Sequence, residues 1–144
     1  MSKNSKIAMF PGSFNPFHLG HKEILIKAAK IFDHVYVVVT QNPDKPKQED
    51  ILINCENIKN EIKEFDNVSV LVNEHEFTAV FAQKIGANYL IRSARNLQDY
   101  NYELELAAGN KMLNKNLETI LIFPDYKNIT FSSTLERHRK LMKK

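Results

Sequence analysis

The sequence is poor in the residues that mark several classes of protein. Its 144 residues contain a single cysteine, Cys55, with only four glycines and five prolines. One cysteine cannot form an intramolecular disulfide, which suits a reducing compartment, and so little glycine and proline excludes collagen-like or low-complexity structure. No apolar run approaches the roughly 18 residues of a membrane span, and the start lacks the apolar region of a secretory signal. We therefore expect a cytoplasmic protein that does not cross a membrane.

The chain also lacks a strong excess of charge of one sign. Its formal net charge is +3, with 43% hydrophobic and 26% charged residues, as is ordinary for a soluble globular protein. The length suits one domain that spans residues 1–144. Such a small charge can help to attract an anionic ligand, but it does not indicate a nucleic-acid partner. The basic segment 136–144 also lacks the aromatic residues that nucleic-acid binding would add.

Short apolar runs alternate with longer amphipathic segments along the sequence. The predicted strands are Ile7–Phe10, Val35–Val39, Val68–Val72, Tyr89–Ile91 and Thr119–Phe123. The predicted helices are Leu19–Phe32, Glu49–Phe65, Phe77–Ile85, Asp99–Leu113 and Ser132–Met142. This alternation predicts an α/β fold, a five-stranded parallel sheet with helices on both faces. Because such sheets bind ligands beyond the carboxyl ends of their strands, we expect the functional site there.

The first strand end carries the sequence PGSFNPFHLGH, from Pro11 to His21. Gly12 and Ser13 are small, so the backbone can approach a ligand closely and offer N–H groups to it. His18 and His21 are three residues apart at a helix start, where orphan N–H groups and the helix dipole favour a phosphate. Two imidazoles there can donate to phosphate oxygens in a transition state. A zinc pair would need a third ligand, which the sequence does not place nearby.

Two segments resemble the signatures of the nucleotidyltransferase superfamily of adenylyl- and cytidylyltransferases. Residues 12–21, GSFNPFHLGH, resemble its (H/T)xGH signature, and residues 131–137, FSSTLER, resemble its ISSxxxR-like second signature. Residues 91–113, IRSARNLQDYNYELELAAGNKML, are similar to the segment of phosphopantetheine adenylyltransferases in which an arginine pair precedes an acidic, aromatic helix. The resemblance covers nearly the whole chain and implies a single-domain Rossmann-like dinucleotide-binding fold.

The resemblance to phosphopantetheine adenylyltransferases also implies a reaction. Members of this family transfer an adenylyl group reversibly from ATP to 4′-phosphopantetheine, which gives dephospho-CoA and pyrophosphate in coenzyme A biosynthesis. They need Mg²⁺ and are typically homohexamers. The resemblance therefore implies a magnesium-dependent transferase that assembles as a hexamer.

The same resemblance implies roles for individual residues. His21 is the implied catalytic residue, which stabilises the α-phosphate in the transition state. The implied substrate-binding residues are Ser13, Lys45, Thr78 and Arg92. The implied ATP-binding residues are Ser13, Phe14, His21, Ser93, Ala94, Arg95, Glu103, Asn128, Ile129, Thr130, Phe131, Ser132, Ser133 and Thr134.

Five of these residues have a specific expected partner. Arg92 has no acidic neighbour in the sequence and is expected to clamp the acceptor phosphate, while the planar fork of Arg95 suits the phosphates of ATP. Glu103 is expected to accept from the ribose hydroxyls of ATP. Lys45 is expected to bind a phosphate of the acceptor or of ATP. Thr78 is expected to line the pantetheine arm, mainly through its backbone.

Some positions depart from the family pattern and leave alternatives open. Asn15 stands where an aspartate is usual and His18 where a threonine is usual, while Asn128 is not the aromatic residue expected near the second signature, a place that Tyr126 could take. HLGH is typical of nicotinate mononucleotide adenylyltransferases, so transfer to nicotinate or nicotinamide mononucleotide is one alternative. A cytidylyltransferase is another. A third is a non-catalytic nucleotide-binding module, which would not need His21.

Overall fold

Strands and helices alternate along the chain. The computed structural model describes residues 4–14, 16–41, 48–125 and 133–142. The strands are β1 (Ile7–Gly12), β2 (His34–Thr40), β3 (Val68–Asn73), β4 (Tyr89–Arg92) and β5 (Glu118–Leu121). The helices are α1 (Leu19–Ile31), α2 (Gln48–Glu61), α3 (Thr78–Ile85), α4 (Leu97–Leu113) and α5 (Ser133–Met142). Within the described ranges, no helix combines the length and the apolar character that a membrane crossing requires.

The five strands form one parallel sheet in the order β3-β2-β1-β4-β5. The chain builds outward from β1 to β3 on one side and then crosses to β4 on the other side of β1. The sheet order therefore reverses between β1 and β4, and open α/β sheets bind ligands at such a switch point. The predicted five-stranded parallel α/β fold is confirmed.

Alternate side chains of the central strands pack against opposite layers of helices. Val35 and Val37 of β2 belong to a cluster with apolar residues of α1 and α2, whereas Val38 and Met9 pack with α3 on the other face. Burial on both faces explains the continuous apolar run that predicted β2. Cys55 is buried in the first cluster, as its place on the apolar stripe of α2 predicted, and burial raises the pKa of its thiol.

Strand β1 continues beyond its predicted end. The sequence indicates a turn at Pro11, but Pro11 and Gly12 still pair with Val38 and Val39 of β2, so this boundary was wrong. A proline lacks only its N–H donor, and its fixed φ is compatible with an extended strand. The extension places Gly12 at the carboxyl end of β1, beside the point where the order of the strands reverses.

Candidate active site

Two clefts open side by side at the carboxyl ends of the strands. The β1–α1 cleft has a volume of about 850 Å³ and is lined mainly by residues between 10 and 24 and between 92 and 103. The β3–α3 cleft has a volume of about 640 Å³ and is lined mainly by residues 73–78 and by α4. Both clefts share a wall that is formed by Pro11, Gly12, Arg92 and Tyr102. Ligands in the two clefts would therefore meet at the ends of β1 and β4.

Phe14 shapes the turn between β1 and α1. Its φ of 47° lies in the left-handed region, which costs a non-glycine residue energy and needs support from its surroundings. That support comes from burial of the ring, which packs edge to face on Phe10 and Phe17 with centroid distances of 5.3 and 5.4 Å. A Cβ at Gly12 would lie only 2.9 Å from the same ring. The packing of Phe14 therefore requires a glycine at position 12.

The two histidines of the HLGH motif lie at the start of α1, with ring centroids 3.7 Å apart. His18 is the N-cap residue, and its Nδ1 accepts from the N–H of Gly20 at 3.1 Å. Nδ1 of His21 accepts from the N–H of His18, also at 3.1 Å. Because a backbone N–H can only donate, each neutral ring carries its proton on Nε2. Nε2 is thus the atom through which either ring can donate to a ligand.

His21 is held in its neutral form. Burial and, to a smaller extent, the nearby His18 lower its pKa from 6.5 to about 4. The ring packs edge to face against Phe14 at 5.0 Å and stacks on Phe17 at 5.5 Å. His21 therefore faces the β1–α1 cleft as a neutral N–H donor rather than as a cation.

Arg92, at the end of β4, forms a bidentate ion pair with Glu103 of α4. Nε of Arg92 donates to Oε1 at 2.8 Å, and Nη2 donates to Oε2 at 2.9 Å. Glu103 is only 6% exposed, whereas the side chain of Arg92 keeps 24% of its surface exposed and lines both clefts. This partner is eleven residues away along the chain, so no local sequence pattern indicates the pair.

Arg95 lies at the exposed rim of the β1–α1 cleft and pairs with Asp99. Oδ2 of Asp99 accepts from the backbone N–H of Arg95 at 3.1 Å and from its Nε at 3.3 Å. Oδ1 of Asn96 accepts from the N–H of Asp99 at 2.8 Å and so caps α4. The helix therefore begins at Leu97 rather than at the predicted Asp99. An asparagine followed by an acidic residue in the first turn was the signal for this start.

The β3–α3 cleft contains polar groups that the sequence analysis missed. Asn73 closes the loop after β3, since its Nδ2 donates to the carbonyl of Glu76 and its Oδ1 accepts from the N–H of Glu76, both at 2.9 Å. Among the described residues, three buried atoms that line this cleft have no hydrogen-bond partner: Gln41 Oε1, Glu76 Oε2 and Asn110 Nδ2. Asn110 follows Glu103 by two helical turns, a spacing that places both residues on one face of α4. Buried polar atoms rarely stay unpaired, so these three are available to pair with a ligand or with water.

The end of β5 is tied to α1 beside the β1–α1 cleft. Nζ of Lys27 donates to the carbonyl of Phe123 at 2.7 Å and lies 3.0 Å from Oδ1 of Asp125. The N–H of Asp125 donates to the carboxylate of Glu23. These contacts fix the point from which the chain continues towards its second signature.

The structure brings together most of those implied substrate-binding residues whose side chains it describes. Those that line the β1–α1 cleft are Ser13, Phe14, His21, Arg92, Ser93, Arg95 and Glu103. Thr78 lines the β3–α3 cleft, and the buried side chain of Ala94 lines neither. Lys45, Asn15, Tyr126 and the implied residues from Asn128 to Ser132 lie outside the described residues. Ser133 and Thr134 begin α5, and their side chains are also outside the described part of the chain.

The chain is similar to known proteins over most of its length. Residues 9–139 match the model of the cytidylyltransferase-like family. A phosphopantetheine adenylyltransferase of Mycoplasma capricolum subsp. capricolum is 44% identical over 139 residues, which are 96% of this chain and 99% of the relative. Another, of Latilactobacillus sakei subsp. sakei, is 39% identical over 130 residues, which are 90% of this chain and 79% of the relative.

A solved structure shares the fold. It is the crystal structure of a candidate nicotinate-nucleotide adenylyltransferase from Vibrio parahaemolyticus, with a TM-score of 0.61 and 21% sequence identity. The match covers 97% of this chain and 89% of that chain. At this identity the likeness shows the fold and carries no information about the acceptor.

Proposed function

The chain belongs to the phosphopantetheine adenylyltransferase family, and we propose that it transfers the adenylyl group of ATP to 4′-phosphopantetheine, giving dephospho-CoA and pyrophosphate. The observation that carries this proposal is the position of Arg92 on the wall between two clefts. Transfer between two bound substrates needs a phosphate-binding cation where they meet. A guanidinium suits that role because it binds a phosphate through two parallel hydrogen bonds.

In this proposal, the β1–α1 cleft holds ATP. Nε2 of His21 donates to the α-phosphate as negative charge develops on it, and Ser13 and the N–H of Phe14 bind phosphate oxygens in the turn. The guanidinium of Arg95, at the rim, neutralises the departing pyrophosphate. An oxygen of the acceptor phosphate attacks the α-phosphorus while the bond to pyrophosphate breaks. Because that oxygen is already anionic, no general base is needed. The rate acceleration then comes from positioning of the substrates and from neutralisation of their charge.

The β3–α3 cleft would hold the pantetheine arm. This arm contains amide groups, each with one donor and one acceptor. The unpaired atoms of the cleft offer complementary groups, since Nδ2 of Asn110 can donate to an amide carbonyl and Oε1 of Gln41 can accept from an amide N–H. Thr78 is the first residue of α3 and lines the same cleft. Arg92 would then bind the phosphate at the end of the arm.

The other implied features remain parts of the proposal. Lys45 and residues 128–134 would complete the phosphate and adenine contacts. Mg²⁺ would enter with ATP, since this ion is commonly held by substrate phosphates and water. Across the described residues, no three His, Cys, Asp or Glu side chains form a metal-ligand group. A homohexamer is proposed from the family resemblance alone, and a cytoplasmic location from the single cysteine, which suits a reducing compartment.

The test is pyrophosphate release with Mg²⁺ and ATP, measured in parallel with 4′-phosphopantetheine and with nicotinate mononucleotide. We expect release with phosphopantetheine alone. Release with the mononucleotide alone would show that HLGH is the better guide to the acceptor. No release with either acceptor would favour a cytidylyl donor or a non-catalytic module.

In the same assay, His21→Ala is expected to lower kcat by about 10²–10³-fold, the usual effect of removing one preorganised donor. Calorimetric titration should show that the variant still binds ATP, because the turn and the arginines remain. His138→Ala, on the exposed surface of α5, is the matched control. A His21→Ala rate within about tenfold of the unsubstituted chain would contradict the assigned role.

A further inference from the structure

Strand β5 is followed by a short segment, residues 122–125, that reaches the β1–α1 cleft. The N–H of Ile122 donates to the carbonyl of Arg92 at 2.9 Å, which continues the hydrogen-bond ladder between β4 and β5. Two residues later, Pro124 is half-buried and lines the β1–α1 cleft. The segment therefore forms part of the wall of the cleft that is assigned to ATP.

Two side chains of α1 bind the backbone on either side of Pro124. Nζ of Lys27 donates to the carbonyl of Phe123 at 2.7 Å and lies 3.0 Å from Oδ1 of Asp125. The carboxylate of Glu23 accepts from the N–H of Asp125. Glu23 and Lys27 are one helical turn apart, which places them on the same face of α1. We call this set of contacts the α1 clamp.

The α1 clamp restricts the one backbone torsion that Pro124 could still vary. Its ring fixes φ, and ψ is the angle between the peptide plane before it and the peptide plane after it. The carbonyl of Phe123 belongs to the first plane and the N–H of Asp125 to the second, and the clamp binds both. The position of Pro124 on the wall of the cleft is therefore set from α1.

The fold itself depends little on the α1 clamp. The side chains of Lys27 and Asp125 are 35% and 50% exposed, and ion pairs at such exposed positions contribute little to stability. The same helix begins with His21, which lines the same cleft. One helix thus carries the proposed phosphate donor and, further along, the contacts that hold another part of the cleft wall.

We infer that Lys27 and Glu23 are positioning residues, which hold Pro124 in place so that the β1–α1 cleft keeps the shape that the nucleotide needs. This inference rests on the proposed function, which assigns ATP to that cleft. Without the clamp, segment 122–125 varies in position and binds the nucleotide less well. The β3–α3 cleft is lined by other residues, so the loss falls on ATP rather than on the acceptor.

The first experiment is steady-state kinetics of Lys27→Met with both substrates varied. Methionine keeps an unbranched side chain of similar length but cannot donate. We expect the KM for ATP to rise about fivefold or more and the KM for phosphopantetheine to stay within about twofold, since one hydrogen bond from a charged group corresponds to roughly a factor of ten. Lys30→Met, the same change at an exposed position of α1, is the control and should leave both constants unchanged. A general loosening of the fold would instead raise both KM values.

The second experiment separates positioning from direct attraction of the ATP phosphates by Lys27. Asp125→Ala removes one contact of the α1 clamp and also a negative charge beside the cleft. Positioning predicts a higher KM for ATP, because the clamp is weakened. Direct attraction predicts a lower KM for ATP, because Lys27 is released and the negative charge is gone. A lower KM for ATP in Asp125→Ala would overturn the inference.

The two substitutions should also fail to multiply. Lys27→Met already deprives Asp125 of this partner, so adding Asp125→Ala is expected to change the KM for ATP by less than about twofold, as for two residues that act through one contact. Multiplied effects would mean that each residue acts on ATP separately, which would overturn the inference.

Calorimetric titration with ATP and Mg²⁺ tests the inference without turnover. Lys27→Met should raise the Kd for ATP by the same factor as the KM, and Lys30→Met should not. A chain that binds ATP but releases no pyrophosphate with phosphopantetheine would contradict the proposed function, and these Kd values would still decide on the clamp. A chain that binds no ATP would overturn both. If Lys27→Met does not fold, Lys27→Gln replaces it, and an unchanged Kd for ATP in that variant would overturn the inference.

Discussion

The neutral state of His21 comes from its surroundings rather than from its own chemistry. The ring is packed between Phe14 and Phe17, and His18 lies against it, so a proton on Nδ1 would displace the hydrogen bond from the N–H of His18. A neutral donor suits a site that must bind phosphate without trapping it. At the scale of the residue, the motif HLGH therefore supplies both the cap of α1 and the donor.

This neutral state predicts a dependence of stability on pH. The unfolded chain protonates His21 near pH 6.5, whereas the folded chain does so near pH 4, so the unfolded state binds more protons in this window. The contribution of neutral His21 to the free energy of unfolding is therefore present in full above pH 6.5 and is lost as the pH falls towards 4. In urea unfolding at several pH values, His21→Gln should therefore show a shallower loss of stability than the unsubstituted chain. His34, whose pKa burial also lowers, remains in the variant, so the slope decreases without vanishing. Equal slopes would contradict a depressed pKa for His21.

At the scale of the element, α4 supplies the acidic residues that pair with the two arginines of the site. Its cap Asn96, its first-turn Asp99 and its buried Glu103 hold Arg95 and Arg92, so the register of this one helix sets the geometry of both arginines. A helix whose start is fixed by a cap places its later side chains more reproducibly than one whose first turn frays.

The cap of α4 gives a second prediction. Asn96→Ala should lower the free energy of unfolding by about 1 kcal/mol, because the N–H of Asp99 loses its acceptor. Asn101→Ala is the matched control on the exposed surface of the same helix, where alanine is the better helix former and stability should hold or rise slightly. Chemical denaturation measures both. An equal loss for the two variants would show that Asn96 does not act as a cap.

At the scale of the whole molecule, the sheet supports clefts that are built from its strand ends. Strand β1 is paired on both sides, by β2 and by β4, whereas β5 is an edge strand beside β4. We predict that amides of β1 exchange with solvent at least about tenfold more slowly than amides of β5, because central strands open only in larger unfolding events. Hydrogen exchange followed by mass spectrometry tests this, and equal exchange in the two strands would contradict it.

The sequence predicted the fold better than it predicted the site. Apolar runs such as Val35–Val39 identify buried strands because both faces of the sheet are covered, and the position of His21 follows from a short contiguous motif. The pair of Arg92 and Glu103 was not predicted, because it joins a strand end to a helix face. Asn110 was missed for a similar reason. Its importance comes from an unpaired buried atom, which no local pattern reveals.

The low pKa of His21 also has a consequence for the pH dependence of the reaction, because either His21 or the acceptor phosphate could gain a proton as the pH falls. With a pKa of about 4, this ring is mostly neutral in the free protein between pH 5 and 8. A phosphomonoester such as the proposed acceptor has its second pKa near 6, within that range. As the surroundings become more acidic, the phosphate nucleophile thus gains a proton and becomes a monoanion before the ring is charged. Near neutrality, the pH profile of kcat/KM for the acceptor should then follow the protonation of the acceptor phosphate rather than that of His21.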